Sequence, residues 1–134
     1  MSTLVVDASA LVIAVVGTSP EAASLRRCLA TDQCHAPHLI DAEVGNVLRR
    51  RELAGVLSPA TAVLALQSLP ELVEHRYPHT GTLAVAAWQL RGSVTFYDAL
   101  YVALAVALGA PLITSDARLS RAPKLPCTIE LVSA

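Results

Sequence analysis

Short apolar runs rich in β-branched residues alternate with longer helix-forming stretches along the whole chain. Thr3 to Val6 is the first such run and fits a buried strand. A helix is expected just after Asp7, and Ser19-Pro20-Glu21 opens a second, with Ser as cap and Pro in the first turn. Gln33 to Ala36 reads as a weak second strand closed by Pro37. His38 to Arg51 reads as a helix with Leu39, Ala42, Val47 and Leu48 on one side, and Ser58-Pro59 starts another that ends near Pro70. Leu72 to His75 is the candidate third strand, and Thr80 or Thr82 opens a helix ending near Gly92. Thr95 caps a helix reaching Leu108, apolar on every side from Ala99 onward and so expected to be buried all round, with Gly109 as its stop. Pro111 to Thr114 and Thr128 to Val132 complete the strands. Strands separated by helices specify an α/β fold: a three-layer α/β/α single domain over residues 1–134, with a central parallel sheet of about five strands and right-handed crossovers.

Composition agrees with that architecture. Hydrophobic residues make up 54% of the 134 and charged residues 16%, against about 25% charged in an ordinary globular chain. The chain therefore buries much of itself or hides an apolar face against a partner. A membrane span is not expected. The longest uncharged stretch, Ala99 to Ser115, falls short of the roughly 20 apolar residues a span requires, and Gly109 and Pro111 interrupt it. The N-terminus lacks the basic start of a signal peptide, so a soluble cytoplasmic protein is the expectation. Cys28, Cys34 and Cys127 are odd in number and lack metal-ligand spacing, which fits free thiols in a reducing compartment. Net charge is −1, so there is no global pull towards nucleic acid. Basic residues cluster only locally, at Arg26-Arg27 and Arg49-Arg50-Arg51.

Four acids stand out once placed on this layout. Asp7 directly follows the first strand and Asp116 follows the fourth by two residues. Asp98 lies in the first turn of the most apolar helix, and Glu43 near the start of the helix after strand two. In open parallel sheets, sites form beyond the carboxyl ends of the strands, and all four acids fall at that edge. Each also has a plainer reading. Asp7 and Asp116 can cap or complement helices, Thr95-x-x-Asp98 resembles a capping box, and Glu43 can be a solvated residue. What the plainer readings leave unexplained is why four carboxylates share one rim. Clustered carboxylates repel, and a cation resolves the repulsion. Oxygen donors without cysteine favour a hard ion, Mg²⁺ or Mn²⁺. Such an ion can activate water and neutralise charge on a phosphodiester.

The segments LVVDASALV, APHLIDAEVGNVLRR, TFYDALYVALAVALGAPLITSDARL and CTIELV resemble the PIN domain, and more narrowly the VapC toxins of bacterial toxin–antitoxin pairs. The resemblance covers essentially the whole chain, and its third segment is the most specific. It implies a metal-dependent ribonuclease in which Asp7, Glu43, Asp98 and Asp116 take the four acidic roles at the metal. Thr114 matches a hydroxyl position beside the last acid. It further implies one or two Mg²⁺ or Mn²⁺ ions, in-line attack by water, a 5′-phosphate on the RNA product, a homodimer, and a small antitoxin that blocks the site.

Several further residues carry open readings. Asn46, three residues after Glu43, either hydrogen-bonds a ligand or an acid or is a surface polar residue. Ser9 either supports Asp7 or packs its helix. Arg49, Arg50 and Arg51 fit a solvated helix C-terminus better than an RNA track. Arg118 and Arg121, close behind Asp116, are better placed to touch substrate. His35, His38, His75 and His79 lack ligand spacing and read as structural, while Trp88 and Tyr101 read as core or interface. Two rival functions differ in kind. A phosphoacceptor domain needs two acids after strand one and a lysine near the site, but only Asp7 follows strand one and the sole lysine, Lys124, lies between two prolines. A PIN-like interaction module without activity would be free to lose an acid, and all four are present.

Overall fold

Three apolar residues in a row open the sheet. Leu4, Val5 and Val6 are all buried, which in a strand means that both faces are covered. In the computed structural model, which describes residues 2–134, they belong to β1 (Thr3–Val6) at the centre of a five-stranded sheet. Its neighbours are β2 (Gln33–Pro37), β3 (His75–Tyr77), β4 (Leu112–Thr114) and β5 (Ile129–Leu131), in the order β3-β2-β1-β4-β5. Every pairing is parallel. The strand order reverses between β1 and β4, where Val5 stands against Leu112 and Val6 against Ile113.

The helices are α1 (Ala8–Val16), α2 (Pro20–Thr31), α3 (Leu39–Leu53), α4 (Pro59–Leu72), α5 (Thr82–Trp88), α6 (Phe96–Leu108) and the single turn α7 (Ala117–Ser120). α1 packs on β4 and on α2, α3 and α4, while α6 lies over β1, β2 and β4 and carries α5. The expected α/β layering and strand count are present. No single helix among the described residues is long and apolar enough to cross a membrane.

Local chemistry explains most element ends. Ser19, Ser58 and Thr95 each accept a backbone N–H at the start of a helix. Gly109 ends α6 in the left-handed region, φ 61°, where a side chain would be strained.

Five expectations need correction. α4 continues through Pro70 to Leu72, and β3 starts at His75 rather than Leu72. The cause is Arg76. Its guanidinium donates to the carbonyl of Leu69 (3.0 Å), which also accepts the Val73 N–H, and to that of Val73 (2.7 Å), just past the helix, and so ties the helix end to the start of β3. It also grips Asp41 in the first turn of α3 with two bonds, 2.6 and 2.9 Å. α5 stops at Trp88, short of Gly92, because the backbone then tightens into i→i+3 turns: Leu90 N–H donates to Ala87 and Arg91 N–H to Trp88. The last turn of α6 is not buried. Val106 is exposed because that turn borders a surface cleft beside Pro111 and Pro126. On α3 the buried stripe is Ile40, Val44 and Leu48, while Ala42 is exposed. That stripe follows i, i+4, i+8 down one face. Trp88, read as core or interface, is 55% exposed, so the core half of that reading falls and the interface half stands open.

Candidate active site

β1 ends at Val6, and the next residue turns the chain into α1. Asp7 caps that helix by accepting the Ala10 N–H at 3.0 Å. The helix-cap reading of Asp7 is therefore correct, and it is incomplete. Its other donors arrive from two side chains. Ser9 Oγ donates to Oδ1 at 2.6 Å, and Thr114 Oγ1, at the end of β4, donates to Oδ2 at 2.5 Å. Ser9 and Thr114 also lie 3.3 Å apart, Ser9 Oγ accepts the Ser115 N–H, and Thr114 Oγ1 accepts the Asp116 N–H. One hydroxyl network thus ties the ends of the two central strands together around the buried Asp7 carboxylate.

The other acids join it from three elements. Glu43 extends from α3, Asp98 from the first turn of α6 and Asp116 from the turn before α7. All four line a single cleft of about 260 Å³ together with Ser9, Asn46 and Tyr101. Asp116 also caps α7, its Oδ1 accepting the N–H groups of Arg118 (2.9 Å) and Leu119 (3.4 Å). Asp98 N–H donates to Thr95 Oγ1 at 3.2 Å, the backbone half of the capping box.

Electrostatics show how close these groups are. Burial raises the Asp7 carboxyl above its ordinary value; bonds from Ser9, Thr114 and Ala10 offset part of the rise, and the Asp116 charge adds to it. Glu43 is raised by burial and then by Asp98 and Asp7, against the lowering effect of Tyr101. Asp98 is raised by burial, then by Asp116 and Asp7. Three carboxylates therefore resist ionising together, which is the condition a dication relieves.

Tyr101 is the residue whose role its sequence position hid. It is buried on α6, and its hydroxyl donates to Glu43 Oε1 at 2.5 Å. Burial and then the Glu43 carboxylate push its phenol well above the ordinary tyrosine range, so it acts as a fixed donor. The available signal was its spacing, three residues after Asp98 and hence on the same helical face. Arg50 was also underestimated. It lies in the last turn of α3, yet it lines the acid cleft as well, four residues after Asn46 on one face. Arg118 lines an adjoining cleft that shares Asp98 and Asp116. Arg49, Arg51 and Arg121 are exposed and line neither. Asn46 borders the acid cleft from an exposed position. His35 stacks on His75 at 4.5 Å and bonds the Tyr77 hydroxyl at 2.7 Å, a structural role at the β2–β3 edge. All three cysteines are free thiols.

Among the described residues no trio of His, Cys, Asp or Glu side chains is close enough to enclose an ion by itself. The donor set still fits Mg²⁺ or Mn²⁺. Mg²⁺ commonly keeps several waters and uses only one or two carboxylates directly, and the site offers acidic oxygens at several points of one rim.

Comparison with known proteins places this geometry in a family. The PIN domain profile matches residues 4–125. Ribonuclease VapC1 of Mycobacterium tuberculosis (strain ATCC 25618 / H37Rv) is 53% identical over 132 residues, covering 98% of this chain and 99% of that protein. Among solved structures, VapBC2 from Rickettsia felis, bound to a DNA fragment from its promoter, superposes with a TM-score of 0.72 at 14% identity over 98% of this chain and 99% of that one. VapBC-5 from Mycobacterium tuberculosis, a member of the VapBC family of toxin–antitoxin systems, gives 0.59 at 18% identity over 100% of both chains. With the profile spanning nearly the full length and a relative identical at more than half of the aligned positions, the chain belongs to the PIN-domain family and, within it, to the VapC group.

Proposed function

We propose that this chain is a metal-dependent ribonuclease that hydrolyses RNA phosphodiester bonds, acting in the cytoplasm as the toxin of a toxin–antitoxin pair. The observation that carries the reading is the meeting of Asp7, Glu43, Asp98 and Asp116 in one cleft at the reversal of strand order. The near-full-length likeness to a relative named a ribonuclease supports it.

Asp7, Glu43 and Asp98 are assigned as direct metal ligands. Asp116 is assigned to act through water. Mg²⁺ or Mn²⁺, when bound, supplies a water of lowered pKa and neutralises charge on the phosphate. The protein's own part is orientation. Ser9 and Thr114 fix both oxygens of Asp7, and Tyr101 holds one oxygen of Glu43 so that the other faces the cleft. Asn46 and Arg50 border the space that the phosphodiester fills, and a guanidinium can grip its oxygens in pairs. Water adds in line to phosphorus and the bond to the 3′ oxygen breaks, leaving a 5′-phosphate and a 3′-hydroxyl. A small antitoxin protein that covers the cleft and a second copy of the chain are the proposed partners.

Purified protein is expected to cut RNA with Mg²⁺ or Mn²⁺, to stop with chelator, and to leave 5′-phosphate ends. Failure to cut any RNA with either ion would favour a PIN-like module without activity. An independent readout needs no RNA. Mg²⁺ at a hundred times its Kd should stabilise the fold by about 2.7 kcal/mol, read as a rise in Tm. Ligation requires ionised carboxylates, and burial has raised three of them. Protons therefore compete from nearer neutrality than usual, and the rise in Tm should shrink steadily as pH falls towards the ordinary carboxylate values. A rise independent of pH would argue against these ligands.

A further inference from the structure

A second cleft of about 510 Å³ opens beside the acid site and shares Asp98 and Asp116 with it. Its lining turns basic, and an exposed aromatic residue, Trp88, stands outside the lining against Arg91. Arg118 and Arg91 stand on its walls, from the turn after Asp116 and from the connection between α5 and α6. Neither guanidinium donates a hydrogen bond to a carboxylate among the described residues. Arg118 is 88% exposed; its Nε lies 3.9 Å from Asp116, and its charge also reaches Asp98. Arg91 is instead held by an aromatic residue. Its guanidinium lies 5.2 Å from the Trp88 ring centre, and its Nη1 donates to the Trp88 carbonyl at 2.8 Å. The Trp88 ring meets Phe96 edge-on, with centroids 6.3 Å apart and planes at 65°. Trp88 itself is 55% exposed, a costly position for an indole in a chain with only one.

Arginines joined to an exposed aromatic face, continuous with a phosphodiester-cutting centre, match the two halves of a nucleotide. We propose that this second cleft is a nucleotide subsite, in which Arg118 and Arg91 hold the phosphate next to the one being cut and Trp88 stacks its base. The inference rests on the ribonuclease reading and adds a recognition element to it. Guanidinium groups pair with phosphate oxygens in a fixed fork. Trp88 orients Arg91 by its ring and its carbonyl, so little freedom is lost on binding. Phe96 packs against the indole with planes at 65°, and the part of the ring left exposed is the face offered to a base. A base can use that face only when it is out of a duplex stack, so the subsite selects RNA that is unpaired beside the cut. This also answers the objection from a net charge of −1. The positive charge that matters is local, and it flanks the acids.

The single tryptophan gives a direct test. In Asp98→Asn protein with Mg²⁺, a short single-stranded RNA should quench Trp88 emission as it binds, and the same strand in a duplex should not. In the otherwise unaltered chain, Trp88→Ala should raise KM about ten- to a hundredfold with kcat nearly unchanged, and Trp88→Phe should recover part of that loss. Arg118→Ala should weaken RNA binding and flatten its salt dependence. Three outcomes would overturn the subsite. They are RNA binding with Trp88 emission unmoved, Trp88→Ala leaving KM unchanged, and Trp88→Ala converting a dimer to a monomer without changing RNA affinity, which would assign this face to a second copy of the chain. If wild-type protein neither binds nor cuts RNA, the ribonuclease reading falls as well.

Discussion

Asp7→Asn is expected to lower RNA cleavage by more than about a hundredfold, because even residues one step removed from a metal cost about 10–100-fold when altered. Asn keeps the shape of Asp7. Its oxygen can still accept the Ala10 N–H and the Ser9 hydroxyl, and its amide can face Thr114 if that hydroxyl turns. The fold should therefore survive, and its response to pH separates a charge effect from damage. Burial raises the folded-state pKa of Asp7 above 3.8. The folded chain then binds that proton more tightly than the unfolded chain, so ionising Asp7 costs stability as pH rises from 3.8 through the raised value. Metal-free wild type bears that cost at neutral pH and the variant does not. In chelator the variant should melt at the same temperature as wild type or higher, and its advantage should close as the pH is lowered towards 3.8. Added Mg²⁺ should reverse the order by stabilising wild type alone. Cleavage above a tenth of the wild-type rate would remove Asp7 from the metal site. A Tm well below wild type in chelator would show instead that its role is mainly structural.

Gly17→Ala should be the most damaging of the small substitutions outside the cleft. Gly17 joins α1 to α2 with an ordinary backbone, φ −71°, so the demand for glycine is one of space. A methyl group there would lie 2.4 Å from the Ile13 carbonyl oxygen and 2.6 Å from the Ala22 side chain. Ile13 O is the acceptor that closes α1, taking the Gly17 N–H at 2.8 Å, and Ala22 is fully buried. Neither can move without opening the α1–α2 contact. Overpacking of this kind costs about 1–3 kcal/mol, a fall of roughly 4–11 °C in Tm for a chain of this size. Gly45→Ala is the matched control. It lies inside α3, with only Leu66 Cδ2 at 4.0 Å, and alanine should gain up to about 1 kcal/mol from helix propensity. Thermal melts of both variants check the pair, and a Gly17→Ala protein as stable as wild type would refute the close-packing account.

The sequence by itself determined the α/β layering, the caps at Ser19, Ser58 and Thr95, the stop at Gly109 and the rim on which the acids fall. These features follow from local rules: alternating apolar runs, residues that favour helix ends, and the tendency of parallel sheets to place chemistry beyond strand ends. It left the acids open between capping and function. Asp7 and Asp116 turn out to serve as caps and also line the cleft, so the two readings were not exclusive. What only the tertiary structure decided lies in contacts between residues distant along the chain. Tyr101 meets Glu43 across 58 positions, Thr114 meets Asp7 across 107, and Arg76 meets Asp41 across 35. The Arg76 grip on the Leu69 and Val73 carbonyls fastens the end of α4 past Pro70, a contact that the pattern around Pro70 does not reveal. Tyr101 looked like core because of its place on an apolar helix, and its hydroxyl acquired a role only where the fold brings it to Glu43 near the start of α3. A chain's local pattern fixes where its elements begin and which face they bury. Which side chains then share one cleft depends on the packing of elements far apart in sequence, and no window of neighbouring residues contains that information.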